Sequence, residues 1–159
     1  MTKLQKIVKR VARRVDDITY ISIRHVSNFL EFNIIMINQD ASELENANVI
    51  RCSRNKAEQI FKKFLRQTKS LGFGIIESLI SDDDDPTLEY MCMARISDIS
   101  SIVRDNDTAA RSHYGGPCVK IFFNRNKYGY GERWIFIADN RCLRKTLLSH
   151  KRYDLLLML

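Results

Sequence analysis

The sequence predicts an α+β fold, with an antiparallel sheet built from hairpins and three to four amphipathic helices packed on it. Two observations lead to this prediction. Runs of alternating, β-branched residues occur in neighbouring pairs, and segments with helical apolar spacing separate those pairs. Sequential hairpins with helices on one face are typical of this class. With 159 residues, 6 Gly and 2 Pro, a single domain over residues 1–159 is expected.

Residues 3–15 are predicted to form an amphipathic helix. Their apolar residues recur every three or four positions: Leu4, Ile7, Val8, Val11 and Val15. The remaining faces carry six basic residues and no acidic one: Lys3, Lys6, Lys9, Arg10, Arg13 and Arg14. Two interpretations stay open, a basic helix that binds phosphates and a packed helix with a solvated outer face.

Residues 18–25 and 29–37 alternate as strands and are predicted to form an antiparallel hairpin, followed by a loop over 38–48 and a short strand over 49–52. The clearest helix is predicted over residues 54–70. Ser53 is the expected N-cap and Gly72 the left-handed stop. The inward stripe comprises Ala57, Ile60, Phe61, Phe64 and Leu65, and the outward residues are Lys56, Lys62, Lys63, Arg66 and Lys69.

A second hairpin is predicted from residues 73–80 and 87–95, joined by the acidic turn 81–86. Cys92 lies in the alternating run and is expected to be a core thiol. Ser97 is predicted to cap a short helix that directs Ile99, Ile102 and Val103 inward. Residues 106–117 are predicted to be a polar loop.

A third hairpin is predicted from residues 119–124 and 133–138. Residues 140–159 are predicted to be one helix, or a helix and a terminal strand, with Leu143, Leu147 and Leu148 facing the core. The terminal leucines must be covered, because an exposed apolar run promotes aggregation. They either dock into the sheet or form a homo-oligomer contact, and the residues concerned are Leu155, Leu156, Leu157 and Leu159.

The charge is arranged in three blocks. Residues 1–76 and 108–159 each carry a net charge of +7, and residues 77–107 carry −7. The basic blocks favour a polyanionic partner, either nucleic acid or an acidic protein surface, or else serve solubility. Three interpretations of the acidic block stay open. It folds against the basic blocks, it forms a solvated loop around Asp82 to Asp85, or it mimics phosphates towards a partner.

The leading hypothesis is a small basic nucleic-acid-binding protein without catalytic activity. Cations neutralise phosphates, and the tyrosines of the tip over 125–133 are suited to stacking on bases. The candidate binding residues are Lys6, Lys9, Arg10, Arg13, Arg14, Lys62, Lys63, Arg66, Arg125, Lys127, Tyr128, Tyr130, Arg133, Arg141, Arg144 and Lys145.

Two alternative functions remain. The first is a protein-binding accessory factor or inhibitor, of the kind found in viruses and mobile elements, that engages host machinery. The second is a metal-independent ribonuclease, for which a base, a phosphate-holding cation and an acid would be needed. Its candidates are His113, His150, Arg152 and Tyr153. The hairpin over 119–138 with this basic cluster resembles the end of small ribosome-dependent toxin nucleases, without a specific motif.

Other classes lack their motifs. The four cysteines, Cys52, Cys92, Cys118 and Cys142, form no CxxC pair, so no zinc site is expected. The Asp82 to Asp85 run lacks the ligand spacing of an EF-hand, so a site for another metal is not expected either. Phosphate-binding glycine motifs, a nucleophile elbow and bound cofactors are likewise not expected. No apolar run approaches the roughly 20 residues of a membrane span. Reduced thiols and a cytoplasmic location are therefore expected.

Overall fold

The computed structural model describes residues 1–15, 18–36, 48–80, 88–105, 118–124, 134–137 and 140–159, and it confirms the α+β fold. The described helices are α1 (Lys3–Arg13), α2 (Arg54–Lys69), α3 (Arg141–Ser149) and α4 (Tyr153–Leu156). The described strands are β1 (Ile18–Val26), β2 (Phe29–Met36), β3 (Asn48–Arg51), β4 (Phe73–Ile80), β5 (Leu88–Arg95), β6 (Ile99–Asp105), β7 (Cys118–Phe123) and β8 (Trp134–Ile137).

The strands form two antiparallel sheets where one was expected. The first has five strands in the order β3-β2-β1-β5-β4, and the second has three in the order β6-β7-β8. The three predicted hairpins are confirmed as the antiparallel pairs β1–β2, β4–β5 and β7–β8. The third hairpin does not extend the first sheet, because it pairs with β6 instead.

One face of the five-stranded sheet is covered by α1 and α2. The predicted apolar stripes of both helices lie in this core, which also contains Ile21, Ile23, Leu30, Phe32, Phe73, Met91 and Met93. Thr2 and Gln5 cap α1 with a reciprocal pair of hydrogen bonds. Ser53 occupies the N-cap position of α2, but its hydroxyl makes no capping bond. Gly72 has a φ of +82° and turns the chain from α2 into β4, as predicted.

The opposite face of this sheet packs against the second sheet, α3 and α4. In this second core, Ile76, Cys92 and Ala94 of the first sheet pack with Ile121 and Phe123 of the second sheet. The Tyr20 and Phe123 rings stack with their centroids 6.1 Å apart. Burial raises the pKa of the Cys92 thiol to about 12. Cys92 is therefore the inert core thiol that the alternation predicted.

The prediction of a short helix after Ser97 is wrong. A 3-10 turn spans Ile96–Asp98 and the chain then enters β6. A register shift between Ile99 and Ser101 adds one residue to the strand, so that Ile99 and Ile102 are both buried although they are three positions apart. The three-residue spacing of these two buried residues in an irregular strand is also the spacing expected of a helix. Val103, which was predicted to face inward, is 49% exposed.

The C-terminal segment forms two helices. α3 ends where the Lys151 and Arg152 amides donate to the Leu148 and Leu147 carbonyls, with Lys151 at a φ of 58°. This is the Schellman arrangement that glycine usually provides. Leu143 and Leu147 are buried as predicted, but Leu148 is 59% exposed, because consecutive helical residues point about 100° apart.

The terminal leucines divide between core and surface. Leu155 is fully buried, and Leu156 and Leu159 pack against the second core, so part of the run docks on the fold. Leu157 is 89% exposed. Among the described residues, no helix combines the length and apolar character that crossing a membrane requires.

Candidate nucleic-acid interface

The basic residues are concentrated on three helices. Helices α1, α2 and α3 together carry 14 lysines and arginines and one acidic residue, Glu58. Because their apolar stripes face the two cores, these cations lie on the outer faces of the helices. The long helical segments therefore form the most cationic part of the chain that the structure describes.

Two of these helices meet beside β4, which is an edge strand. Thr146 of α3 donates a hydrogen bond to the Ile75 carbonyl, and Cys142 Sγ lies 3.2 Å from Ser78 Oγ. Gly74 permits this approach, because a Cβ there would lie 2.5 Å from Thr146 Cγ2. Helix α3 thus covers an edge that would otherwise expose unpaired backbone groups.

A cleft of about 290 Å³ lies between the C-terminal ends of α2 and α3, above the first residues of β4. Its apolar floor is formed by Leu65, Phe73 and Ile75, and Gly74 contributes backbone. Its rim comprises Lys69, Lys145, Thr146, Ser149 and His150.

Exposed cations continue from this cleft along both helices, and the cleft together with these cations is called the groove below. On α2, Lys62, Arg66 and Lys69 follow each other at spacings of four and three, so they form one exposed ridge ending at the cleft. On α3, Arg141 and Lys145 are four residues apart, so they lie on one side of that helix, and Lys145 lines the cleft. We call these five residues the groove cations.

His150 lines the cleft and is half-buried. Burial lowers the pKa of its imidazole, and the positive charge of Lys69 lowers this pKa further. His150 is therefore largely neutral at pH 7, when one ring nitrogen accepts and the other donates a hydrogen bond. An anion placed beside it would favour the protonated ring.

The exposed face of α1 forms a second basic surface. A groove of about 500 Å³ is lined by Met1, Lys6, Lys9, Arg10, Arg13 and Arg14. Helix α1 packs on α2, and Lys63 lies on α2 about a quarter turn around the helix from the groove ridge. The predicted residues of α1 and α2 are thus brought into one helical layer.

Other predicted residues lie elsewhere. Arg144 is exposed on α3 but does not line the cleft. Arg125, Lys127, Tyr128, Tyr130 and Arg133 of the predicted tip lie outside the described residues, as do His113 and the Asp82 to Asp85 run.

Three residues of the cleft rim, Lys69, Ser149 and Thr146, were missing from the predicted site. The spacing of Lys69 from Arg66 could have indicated the first, whereas the other two required the packing of α3 on β4.

The described ribonuclease candidates do not form one site. Arg152 donates hydrogen bonds to the Ile96 carbonyl at 2.8 Å and the Ile99 carbonyl at 3.0 Å, and it pairs with Asp154 at 3.1 Å. These contacts hold the C-terminal segment against the 3-10 turn. Tyr153 is 56% exposed, and neither residue lines the cleft that contains His150.

This structural role of Arg152 predicts the effect of its replacement. Arg152→Met keeps the aliphatic stem but leaves two partly buried carbonyls without their donors, so we expect a loss of about 1–2 kcal/mol in the free energy of unfolding. Urea denaturation measures this loss of stability. Arg104→Met is the control, because Arg104 donates one exposed bond to the Leu159 carbonyl. Equal stability of Arg152→Met and the unmodified chain would contradict the role.

Within the described ranges, no group of three or more His, Cys, Asp or Glu side chains is arranged to hold a metal ion. All four cysteines are free thiols. No protein-family model, curated protein or solved structure matches this chain.

Proposed function

We propose that this chain binds nucleic acid, without catalysing a reaction on it, through the outer surface of α1, α2 and α3. The observation that carries the proposal is the cleft beside β4 in which Lys69 of α2 meets Lys145 of α3, with Lys62, Arg66 and Arg141 continuing the exposed cations along the same two helices. A phosphate backbone presents a regular row of negative charges, which two rows of cations can follow.

The chemistry of the groove favours backbone contacts over base-specific ones. Four of its side chains, Lys62, Arg66, Arg141 and Lys145, are exposed cations on helical ridges, and the acidic Glu58 is already paired with Lys62 at 3.2 Å. Contacts of this type set affinity and orientation but carry no sequence information. We therefore infer binding with little sequence preference.

The test is binding of labelled single- and double-stranded DNA and RNA over a salt series. If all five groove cations contact phosphates, they should contribute about −4.5 on duplex DNA and about −3.5 on single strands to the slope of the logarithm of the affinity against the logarithm of salt concentration, and contacts from α1 should make the slope steeper. Fluorescence anisotropy measures both slopes. An absence of binding at low salt would refute the proposal.

A protein-binding accessory role is the second candidate, and one observation favours it. Leu148, Tyr153, Leu157 and Met158 are all at least 44% exposed within the C-terminal segment. Exposed apolar side chains are typical of a contact surface where they form one contiguous patch. Sedimentation and affinity capture with the unmodified chain and with Leu148→Asp/Leu157→Asp would test it, and identical results for the two chains would refute it.

A further inference from the structure

The cleft at the end of the groove differs chemically from the rest of the basic surface. It combines cations from two helices, Lys69 and Lys145, with the half-buried imidazole of His150. Below them lie the apolar side chains of Leu65 and Ile75, both half-buried. An apolar floor under a cationic rim suits a ligand that has one apolar, planar part and one anionic part.

We propose that this cleft is a nucleotide subsite, in which the phosphate lies between Lys69, Lys145 and His150 and the nucleoside lies on Leu65 and Ile75. The inference deepens the proposed function and rests on it, because the nucleotide would belong to a bound strand. The volume of about 290 Å³ is near the lower limit for ligand pockets, so the cleft admits one nucleotide. A base in a duplex is stacked and paired, and the chain should therefore prefer single strands.

The charge balance of the cleft favours an anion. Helices α2 and α3 both end here, and each helix end contributes roughly half a negative charge. Lys69 and Lys145 contribute two full positive charges, which exceed that total. The residues of β4 that line the cleft, Phe73, Gly74 and Ile75, have no titratable side chain, so they do not oppose the lysines.

His150 supplies the reporter for an experiment on the whole chain. The ring resonances of its three histidines are followed by NMR during addition of uridine monophosphate, uridine and inorganic phosphate, and His150→Gln identifies the His150 signals. We expect uridine monophosphate to shift the His150 resonances and to raise the pKa of His150, inorganic phosphate to do so more weakly, and uridine to have little effect. Equal affinity for inorganic phosphate and uridine monophosphate would overturn the assignment to a nucleotide.

Variants on α3 provide a matched comparison. Lys145→Gln should lower the affinity for uridine monophosphate about tenfold, equal to about 1.4 kcal/mol, because it removes one cation from the rim. Arg144→Gln removes the same charge from the same helix outside the cleft, and it should leave the affinity within about twofold. Equal losses in the two variants would contradict the subsite.

The outcomes separate this inference from the proposed function. If a single-stranded oligonucleotide binds but neither it nor uridine monophosphate shifts the His150 resonances, the subsite is wrong and nucleic-acid binding stands. If uridine monophosphate binds at His150 but no oligonucleotide binds the chain, the subsite is supported and the proposed function is wrong.

Discussion

Replacement of the five groove cations by glutamine should weaken nucleic-acid binding at least about hundredfold at low salt. Lys62, Arg66, Lys69, Arg141 and Lys145 would no longer release counterions from the phosphates they contact. The salt slope on duplex DNA should flatten by up to about 4.5 for the same reason. Anisotropy titrations of the unmodified and variant chains measure both quantities.

The control for this experiment removes five positive charges outside the three helices. Those replaced by glutamine are Arg24, Arg51, Arg104, Lys120 and Lys151. Both variants have the same net charge, so a loss caused only by total charge would be equal in the two. The interface is correctly placed if the control retains most of the affinity, and wrongly placed if the control loses as much as the groove variant.

The largest expected change in stability follows from Phe64→Ala. The Phe64 ring is fully buried and meets the Phe32 ring edge-on, with centroids 5.1 Å apart and planes inclined at 65°. Truncation removes this contact between α2 and the five-stranded sheet and leaves a cavity. We expect the free energy of unfolding to fall by about 3–5 kcal/mol, a large fraction of a domain's stability.

Urea denaturation with circular dichroism measures this loss, and Tyr153→Ala serves as the control. Tyr153 is 56% exposed, so its truncation should change the stability by no more than about 0.5 kcal/mol. A loss below about 1 kcal/mol for Phe64→Ala would show that α2 does not pack on the sheet as described. Binding of nucleic acid should weaken in the same variant if unfolding displaces the groove ridge of α2.

The parts of the fold that could be predicted are those with a regular apolar period. The stripe of α2 and the alternation around Cys92 each repeat often enough to indicate which side is buried. The β-bulge near Ile99 breaks the period of two, and the spacing of Ile99 and Ile102 then resembles a helix. The end of α3 was missed because Lys151, not glycine, adopts the positive φ.

The candidate site could be predicted only in part. The cations of α1, α2 and α3 are visible in the sequence, since long basic stretches with few acids stand out in any count. The proximity of Lys69 to Lys145 and His150 cannot be read from the sequence, because 75 residues lie between Lys69 and Lys145 and no local pattern relates them.

The fold class, the three hairpins and the basic outer faces of the helices could be predicted without a structure, because each depends on the period of residues close together in the chain. Three features could not be predicted in this way: the division of the strands into two sheets, the covering of the β4 edge by α3, and the cleft between α2 and α3. These features depend on contacts between distant segments, and on a glycine at position 74 whose missing side chain lets the helix approach the strand.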